Sequence, residues 1–196
     1  MAHFAVTVCL PGELTRDELL PHLRNTLARY DREREMEPYV EYTRAELIAL
    51  GRRSISVSRD PDRSGWTDQQ VYDHWISRYE PWEIGPDGET YTTRNPQGQW
   101  DYWSIGGLFD PMWILTDEND GGVSTRTEMA RLREISADSL TATYAFIDLN
   151  GDWHQRRQAP YWDEDPVGAA EWDHTYAVLI AALPPDTWLI QVDCHS

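Results

Sequence analysis

The stretch WLIQVDCHS, residues 188–196, alternates apolar and polar side chains like a β-strand and ends in Asp193, Cys194 and His195. A second strand-like stretch, HFAVTVCLP, occupies residues 3–11. Side chains along a strand point to opposite faces in turn. The even positions of both stretches are uniformly apolar and are predicted to face the helices. The more polar odd positions are predicted to face the open side of the sheet.

The order of the remaining elements predicts the fold. A helix pattern follows the first strand, and a hairpin around Asn150-Gly151 and a helix begun by Pro166 precede the last. This order, strand–helix and then strand–strand–helix–strand, predicts an α+β fold. The specific expectation is a ferredoxin-like sandwich, an antiparallel sheet with helices on one face. Residues 1–196 then form a single domain, with an insertion at about residues 37–98.

Local signals predict where helices begin. A Thr followed three residues later by Glu or Gln indicates a capping box, and this pattern occurs at Thr15/Glu18, Thr43/Glu46 and Thr67/Gln70. Pro21 lies inside the first of these helices and is expected to kink it or to move its start downstream. The stretch RTEMARLREI, residues 126–135, predicts a further short helix.

The composition restricts the class of protein. The chain has 196 residues, 12% of them aromatic, which is too aromatic for a disordered chain. Its 34 acidic and 17 basic residues give a net charge of −17, which argues against direct binding to nucleic acid. Two interpretations of the charge stay open. It is either a solvated acidic surface that keeps the protein soluble, or an imitation of DNA phosphates that binds another protein's basic groove.

Targeting and thiol signals predict a cytoplasmic protein. No apolar run approaches the length of a membrane span, and the N-terminal stretch lacks the basic region and cleavage site of a signal peptide. Cys9 and Cys194 are too few for a disulfide framework and are expected to be free thiols. We therefore expect neither a membrane partner nor a disulfide scaffold.

The strand ends carry the candidate catalytic residues. If the first and last strands are antiparallel neighbours, His3, Asp193 and His195 meet on one face, and Cys194 turns towards the core beside Phe4. Two imidazoles and a carboxylate suit an acid–base pair oriented by Asp193, or half of a metal site. A nucleophilic pair of Cys194 with either histidine is a further alternative, as is a merely solvated strand end. No metal or other cofactor is assigned.

The stretch NPQGQWDYWSIGG, residues 95–107, is the candidate ligand-binding segment. Trp and Tyr offer flat surfaces for a base, a sugar or a partner protein, although a Trp-rich core is the alternative. A Gly pair allows a ligand or another strand to approach the backbone closely. As a strand, the segment places Trp100 and Tyr102 on one face and Asp101 and Trp103 on the other. The residues expected to bind a ligand are Trp100, Asp101, Tyr102, Trp103, Gly106 and Gly107.

The same motifs resemble those of a group of small actinobacterial and actinophage proteins without an assigned activity. The group's pattern has Met-x-His-Phe at the start, Asn-Pro-x-x-x-Trp-Asp followed by Gly-Gly, and Val-Asp-Cys-His near the end. The matching residues include His3, Phe4, Asn95, Pro96, Trp100, Asp101, Gly106, Gly107, Val192, Asp193, Cys194 and His195. The chain departs at Leu108 and Phe109, where the group has Arg-Trp. The resemblance implies an accessory role, such as one in host–phage conflict.

Two hypotheses for the function follow. In the first, the protein binds or processes a small molecule or nucleotide in a cleft lined by Trp100, Tyr102 and Trp103, with the His/Asp cluster as the reactive groups. In the second, it is a non-enzymatic acidic protein that binds a protein partner, as an inhibitor or a DNA mimic. A concave pocket shared by the two histidines and the aromatic segment would favour the first.

Overall fold

The computed structural model describes residues 2–58, 62–116, 125–156 and 166–196. These ranges contain four α-helices, Arg16–Ala28 (α1), Arg44–Ser58 (α2), Asp68–Ile76 (α3) and Pro166–Ala181 (α4). They also contain ten strands, His3–Leu10 (β1), Tyr39–Tyr42 (β2), Thr90–Thr92 (β3), Tyr102–Ile105 (β4), Trp113–Ile114 (β5), Arg126–Thr127 (β6), Met129–Arg131 (β7), Ala145–Ile147 (β8), Trp153–Gln155 (β9) and Trp188–His195 (β10). No helix in the described ranges is both long enough and apolar enough to cross a membrane.

The chain divides into two compact units. The first combines Met1–Arg34 with Pro96–Ser196, and the second is Glu35–Asn95. The second unit covers nearly the same residues as the predicted insertion at 37–98. It contains α2, α3 and the β2–β3 pair, and Gly51 of α2 lets that helix approach Val71 and Trp75 of α3, because a Cβ at Gly51 would overlap both side chains.

A six-stranded sheet forms the centre of the first unit. Its strand order is β4-β10-β1-β8-β9, and β7 also pairs with β10. The long strands β1 and β10 are antiparallel, with His3 opposite His195 at one end and Leu10 opposite Trp188 at the other. The expected neighbourhood of the first and last strands is therefore confirmed.

The α+β class is confirmed, whereas the ferredoxin-like arrangement is not. A split β-α-β unit would place another strand between its two parallel strands. Here β1 and β8 are direct parallel neighbours, with Val6 opposite Ala145, while β1 and β10 are antiparallel. The sheet is therefore mixed, and the predicted purely antiparallel sheet is wrong.

Helices cover both faces of this sheet, not the single face that was predicted. The leucines of α1 pack with the even positions of β1 and β10, in a core that includes Leu23, Val8 and Val192. Trp172 and Tyr176 of α4 pack on the opposite face, in a cluster that also includes Cys9, Phe146 and Leu189. Near Leu10 and Trp188 the odd positions become apolar, so this end of the second face is also buried.

Two local expectations are also corrected. Helix α1 begins at Arg16 and continues through Pro21, with Leu19, Leu23 and Leu27 buried against the sheet, so the start is not moved downstream. Residues 126–135 form β6, β7 and a short 3-10 turn in place of a helix. The reason for the second difference lies in tertiary structure, because β7 completes the hydrogen bonding of β10.

Candidate functional site

His3 and His195 lie directly opposite each other where β1 begins and β10 ends. Ala2 and Ser196, one position further out, exchange both backbone hydrogen bonds, at 3.0 and 3.2 Å. In an antiparallel ladder the adjacent pair is then non-hydrogen-bonded, which brings its side chains closest together. The imidazole ring centroids are 4.9 Å apart and the rings are tilted by 59°.

Asp193 is the carboxylate partner of His3. The Nδ1 atom of His3 lies 3.0 Å from Oδ1 and 3.1 Å from Oδ2 of Asp193. The carboxylate is almost fully buried, at 3% exposure, while the histidine is 37% exposed. The backbone N–H of Leu108 donates a second hydrogen bond to Oδ2, at 2.9 Å. The burial of Asp193 is thus compensated by two donors, and its orientation is fixed from both sides.

Asp101 is the carboxylate partner of His195. Their side chains form a 2.6 Å hydrogen bond between Nδ1 and Oδ1, and the backbone N–H of Asp101 donates to the carbonyl of His195 at 2.9 Å. The hydrogen bond from His195 is the main cause that lowers the pKa of Asp101, and the positive charge of Arg32 acts in the same direction. Asp101 therefore stays ionised and orients the ring of His195.

Both imidazoles consequently adopt the same tautomer when they are neutral. A carboxylate only accepts hydrogen bonds, so Nδ1 of each ring carries the hydrogen and Nε2 of the neutral ring keeps its lone pair. Two such Nε2 atoms belong to rings in contact at one corner of the sheet. The arrangement is capable of accepting a proton at one ring and donating one from the other, or of binding a cation.

Gly107 makes room for the buried carboxylate. Its φ is +61°, and a Cβ placed on it would overlap Cβ and Oδ2 of Asp193. Gly106, with φ +67°, donates its N–H to the carbonyl of Gln191 at 3.0 Å. The close backbone approach expected of the Gly pair is thus made to β10. Ligand binding by the two glycines stays a prediction.

The aromatic residues of the candidate binding segment separate. Trp100 is buried in the core and Trp103, opposite Cys194, packs against the same core. Tyr102 lies opposite His195 and is 61% exposed, so it shares the face of the two histidines. The expected cleft of three aromatic rings is therefore not formed at this face. Strand alternation misplaced Trp100 because β4 begins only at Tyr102.

Cys194 lies on the opposite face of the sheet from His3 and His195. Its side chain is fully buried among core residues, opposite Phe4. Burial raises the pKa of its thiol, and the adjacent charge of Asp193 raises it further. A protonated, enclosed thiol is a poor nucleophile. The predicted position beside Phe4 is confirmed, and the structure does not form the alternative pairing of Cys194 with a histidine.

Two features of the site were not predicted. One is the N–H of Leu108, a backbone group that no sequence motif reveals. The other is the contact of Asp101 with His195, since alternation placed Asp101 on the face away from Tyr102. The pairing of β4 with β10, with Tyr102 opposite His195, brings Asp101 into reach. No local pattern in the sequence specifies that pairing.

A third histidine–carboxylate pair provides a contrast. Nε2 of His154 lies 3.1 Å from Oδ2 of Asp148, whose Oδ1 also accepts the N–H groups of Asn150 and Asp152 in the β8–β9 turn. That carboxylate organises a turn, and its partner is a single imidazole. Across the described ranges, no three His, Cys, Asp or Glu side chains are grouped so that they could hold a metal ion.

No protein-family model matches the sequence, and no curated protein or solved structure is significantly similar to it.

Proposed function

We propose that the protein binds and processes a small molecule at the pair formed by His3 and His195, which act as general acid and general base. The observation that carries the proposal is the contact of the two imidazole rings, 4.9 Å apart, each held at Nδ1 by its own carboxylate. Catalytic histidines need this kind of orientation because a general acid or base must present one defined nitrogen to the reacting atom.

Because the two rings are adjacent, one imidazole can act as the general acid while the other acts as the general base. Acid–base catalysis by the pair requires one imidazole to be protonated and the other to be neutral. In that state one Nε2 is a donor and the other an acceptor. A substrate at the exposed edge of the rings then meets an acid and a base together, which is what a proton-transfer reaction requires.

The surroundings favour a neutral or cationic compound with a flat apolar part. Asp101 and Asp193 place two carboxylates beside the rings, and the chain carries a net charge of −17, which disfavours polyphosphates. The exposed ring of Tyr102 beside His195 offers a surface on which a flat group can stack. Nucleotides, the other ligands expected from the sequence, belong in the same test.

Membership of the actinobacterial and actinophage group is part of this proposal. Several residues that carry the resemblance, namely His3, Asp101, Gly107, Asp193 and His195, are the ones that meet at this corner of the sheet. A cytoplasmic location is proposed as well, since the free and buried thiols of Cys9 and Cys194 fit a reducing compartment.

A ligand screen against matched histidine variants tests the proposal. Neutral metabolites, amines and nucleotides are screened by thermal shift, and compounds that bind are followed for turnover by mass spectrometry. We expect a compound that stabilises the wild type and His154→Gln but neither His3→Gln nor His195→Gln, and turnover that is lost in both of the latter. Binding and turnover that survive in His3→Gln and His195→Gln would contradict the proposal.

The net charge of −17 favours a second candidate, an acidic protein that binds a partner without chemistry. Such a protein needs its carboxylates and has no need for paired imidazoles. In that case a variant lacking both His3 and His195 would still bind the partner protein, whereas charge reversal of surface carboxylates would abolish that binding. The opposite pattern supports the acid–base site.

A further inference from the structure

We infer that His3 and His195 together bind one divalent transition-metal ion of the zinc class through their two Nε2 atoms, with the remaining coordination positions open to water or a ligand. The inference rests on the geometry of the pair and does not depend on the proposed acid–base function. Metal ion and proton would compete for the same two lone pairs, so the metal-bound form is an alternative state of the site.

The spacing of the rings fits chelation of a single ion. Two imidazoles bound to one tetrahedral zinc ion at about 2.0–2.1 Å have ring centroids roughly 5 Å apart. The centroids of His3 and His195 are 4.9 Å apart, and the tilt of 59° keeps the rings from stacking flat. Because the residues face each other across a non-hydrogen-bonded strand pair, the rigid sheet maintains this spacing without a ligand.

The hydrogen bonds at Nδ1 are those that support metal-binding histidines. A histidine that binds metal through one nitrogen almost always donates the other ring N–H to a carboxylate or carbonyl, which fixes the tautomer and makes the ligand more basic. Asp193 does this for His3 at 3.0 Å, and Asp101 does it for His195 at 2.6 Å. Both imidazoles of the pair therefore have this support, so the carboxylate contact that His154 makes singly with Asp148 is made here at two adjacent rings.

The electrostatic environment favours a cation, and the ligand atoms select its class. The carboxylates of Asp101 and Asp193 lie behind the rings, and Asp193 is almost fully buried, so its field is weakly screened. Imidazole nitrogens suit zinc, copper and nickel, whereas magnesium and calcium prefer oxygen ligands. Two protein ligands are one fewer than the three of catalytic zinc sites, so water or a bound ligand must supply the remaining coordination positions.

Zinc titration of the chelator-treated protein tests the inference. Isothermal titration with zinc chloride at pH 7.5 is expected to give one site per chain, which is lost in His3→Gln and His195→Gln and unchanged in His154→Gln. Asp101→Asn, whose carboxylate is partly exposed, is expected to weaken binding by about 10- to 100-fold. Magnesium chloride serves as the probe for non-specific attraction of cations to the acidic surface.

Nitrogen-15 spectra of the imidazoles keep the test independent of how the variants fold. In the wild type, zinc is expected to shift the Nε2 resonances of His3 and His195 together and to leave His154 unchanged. Zinc binding of equal strength in the wild type, His3→Gln and His195→Gln would overturn the inference, as would unshifted Nε2 resonances. Neither readout uses a substrate, so failure of the metal site and failure of the acid–base proposal are distinguishable.

Discussion

Gly107 and Asp193 are packed so closely that Gly107 has no room for a side chain. A Cβ on Gly107 would overlap Cβ and Oδ2 of Asp193, and the φ of +61° is itself unfavourable for any residue with a Cβ. The Asp193 carboxylate also contacts His3 and the N–H of Leu108. The position of His3 therefore depends indirectly on the absence of a single methyl group.

Gly107→Ala is expected to destabilise the protein by about 1–3 kcal/mol and to move the His3 ring, since both backbone strain and overlap with Asp193 are introduced. Gly151→Ala is the matched control, because Gly151 has φ +79° but no atom within 4 Å of its added Cβ. Urea denaturation gives the free energy of unfolding, and the nitrogen-15 shifts of His3 report the site. Equal costs and an unmoved His3 in both variants would show that the contact with Asp193 is unimportant.

Asp193→Asn is expected to cost about 1–3 kcal/mol of the free energy of unfolding, the cost of a buried donor without an acceptor. An amide has one oxygen for the two donors, His3 Nδ1 and the N–H of Leu108, and its NH2 group would face the other donor. Asp101→Asn is expected to cost less than Asp193→Asn, because the Asp101 carboxylate is partly exposed and solvent screens its interactions. Urea denaturation at pH 7 compares the two, and a larger cost for Asp101→Asn would contradict this explanation.

Cys9 and Cys194 are expected to be unreactive in the folded protein. Both are buried, and burial raises the pKa of each thiol, so that little thiolate forms near neutral pH. Labelling with a chromogenic disulfide reagent at pH 8 is expected to be slow in native protein and rapid in urea. Cys194→Ala is expected to retain ligand binding at the histidine pair. Rapid native labelling of Cys194, or loss of that binding without unfolding, would restore Cys194 as a candidate for catalysis.

The sequence predicted correctly which faces of the sheet the side chains of β1 and β10 occupy. Alternation along β1 and β10 correctly placed His3, Asp193 and His195 on one face and Cys194 on the other, because each strand is long and its even positions are uniformly apolar. The three capping boxes are also observed as side-chain to backbone hydrogen bonds, for example from the N–H of Thr15 to Glu18. These features depend on residues close in sequence or on a strict period of two.

The errors concern contacts between distant segments. The strand β8 pairs in parallel with β1, and the short strands β4 and β7 both pair with β10, through a few backbone hydrogen bonds each. No side-chain pattern records such pairings, so neither the mixed sheet nor the Asp101–His195 contact was predictable. The same limitation explains Trp100, whose alternation was counted from a strand that begins two residues later.

The stabilising contribution of Asp101 is expected to be lost in acid, as its carboxylate becomes protonated. The hydrogen bond from His195 lowers the pKa of Asp101 in the folded state, so the ionised form stabilises the fold. This contribution is fully present above the unfolded value of about 3.9 and is lost as the pH falls through the lower folded value. The excess in free energy of unfolding of the wild type over Asp101→Asn, measured in urea, is therefore expected to shrink between pH 5 and about pH 2.5.

Asp173→Asn, on the exposed side of α4, controls for loss of one negative charge. If that excess is the same at both pH values, or if Asp173→Asn gives an equal change, the Asp101–His195 contact is not what makes stability depend on pH.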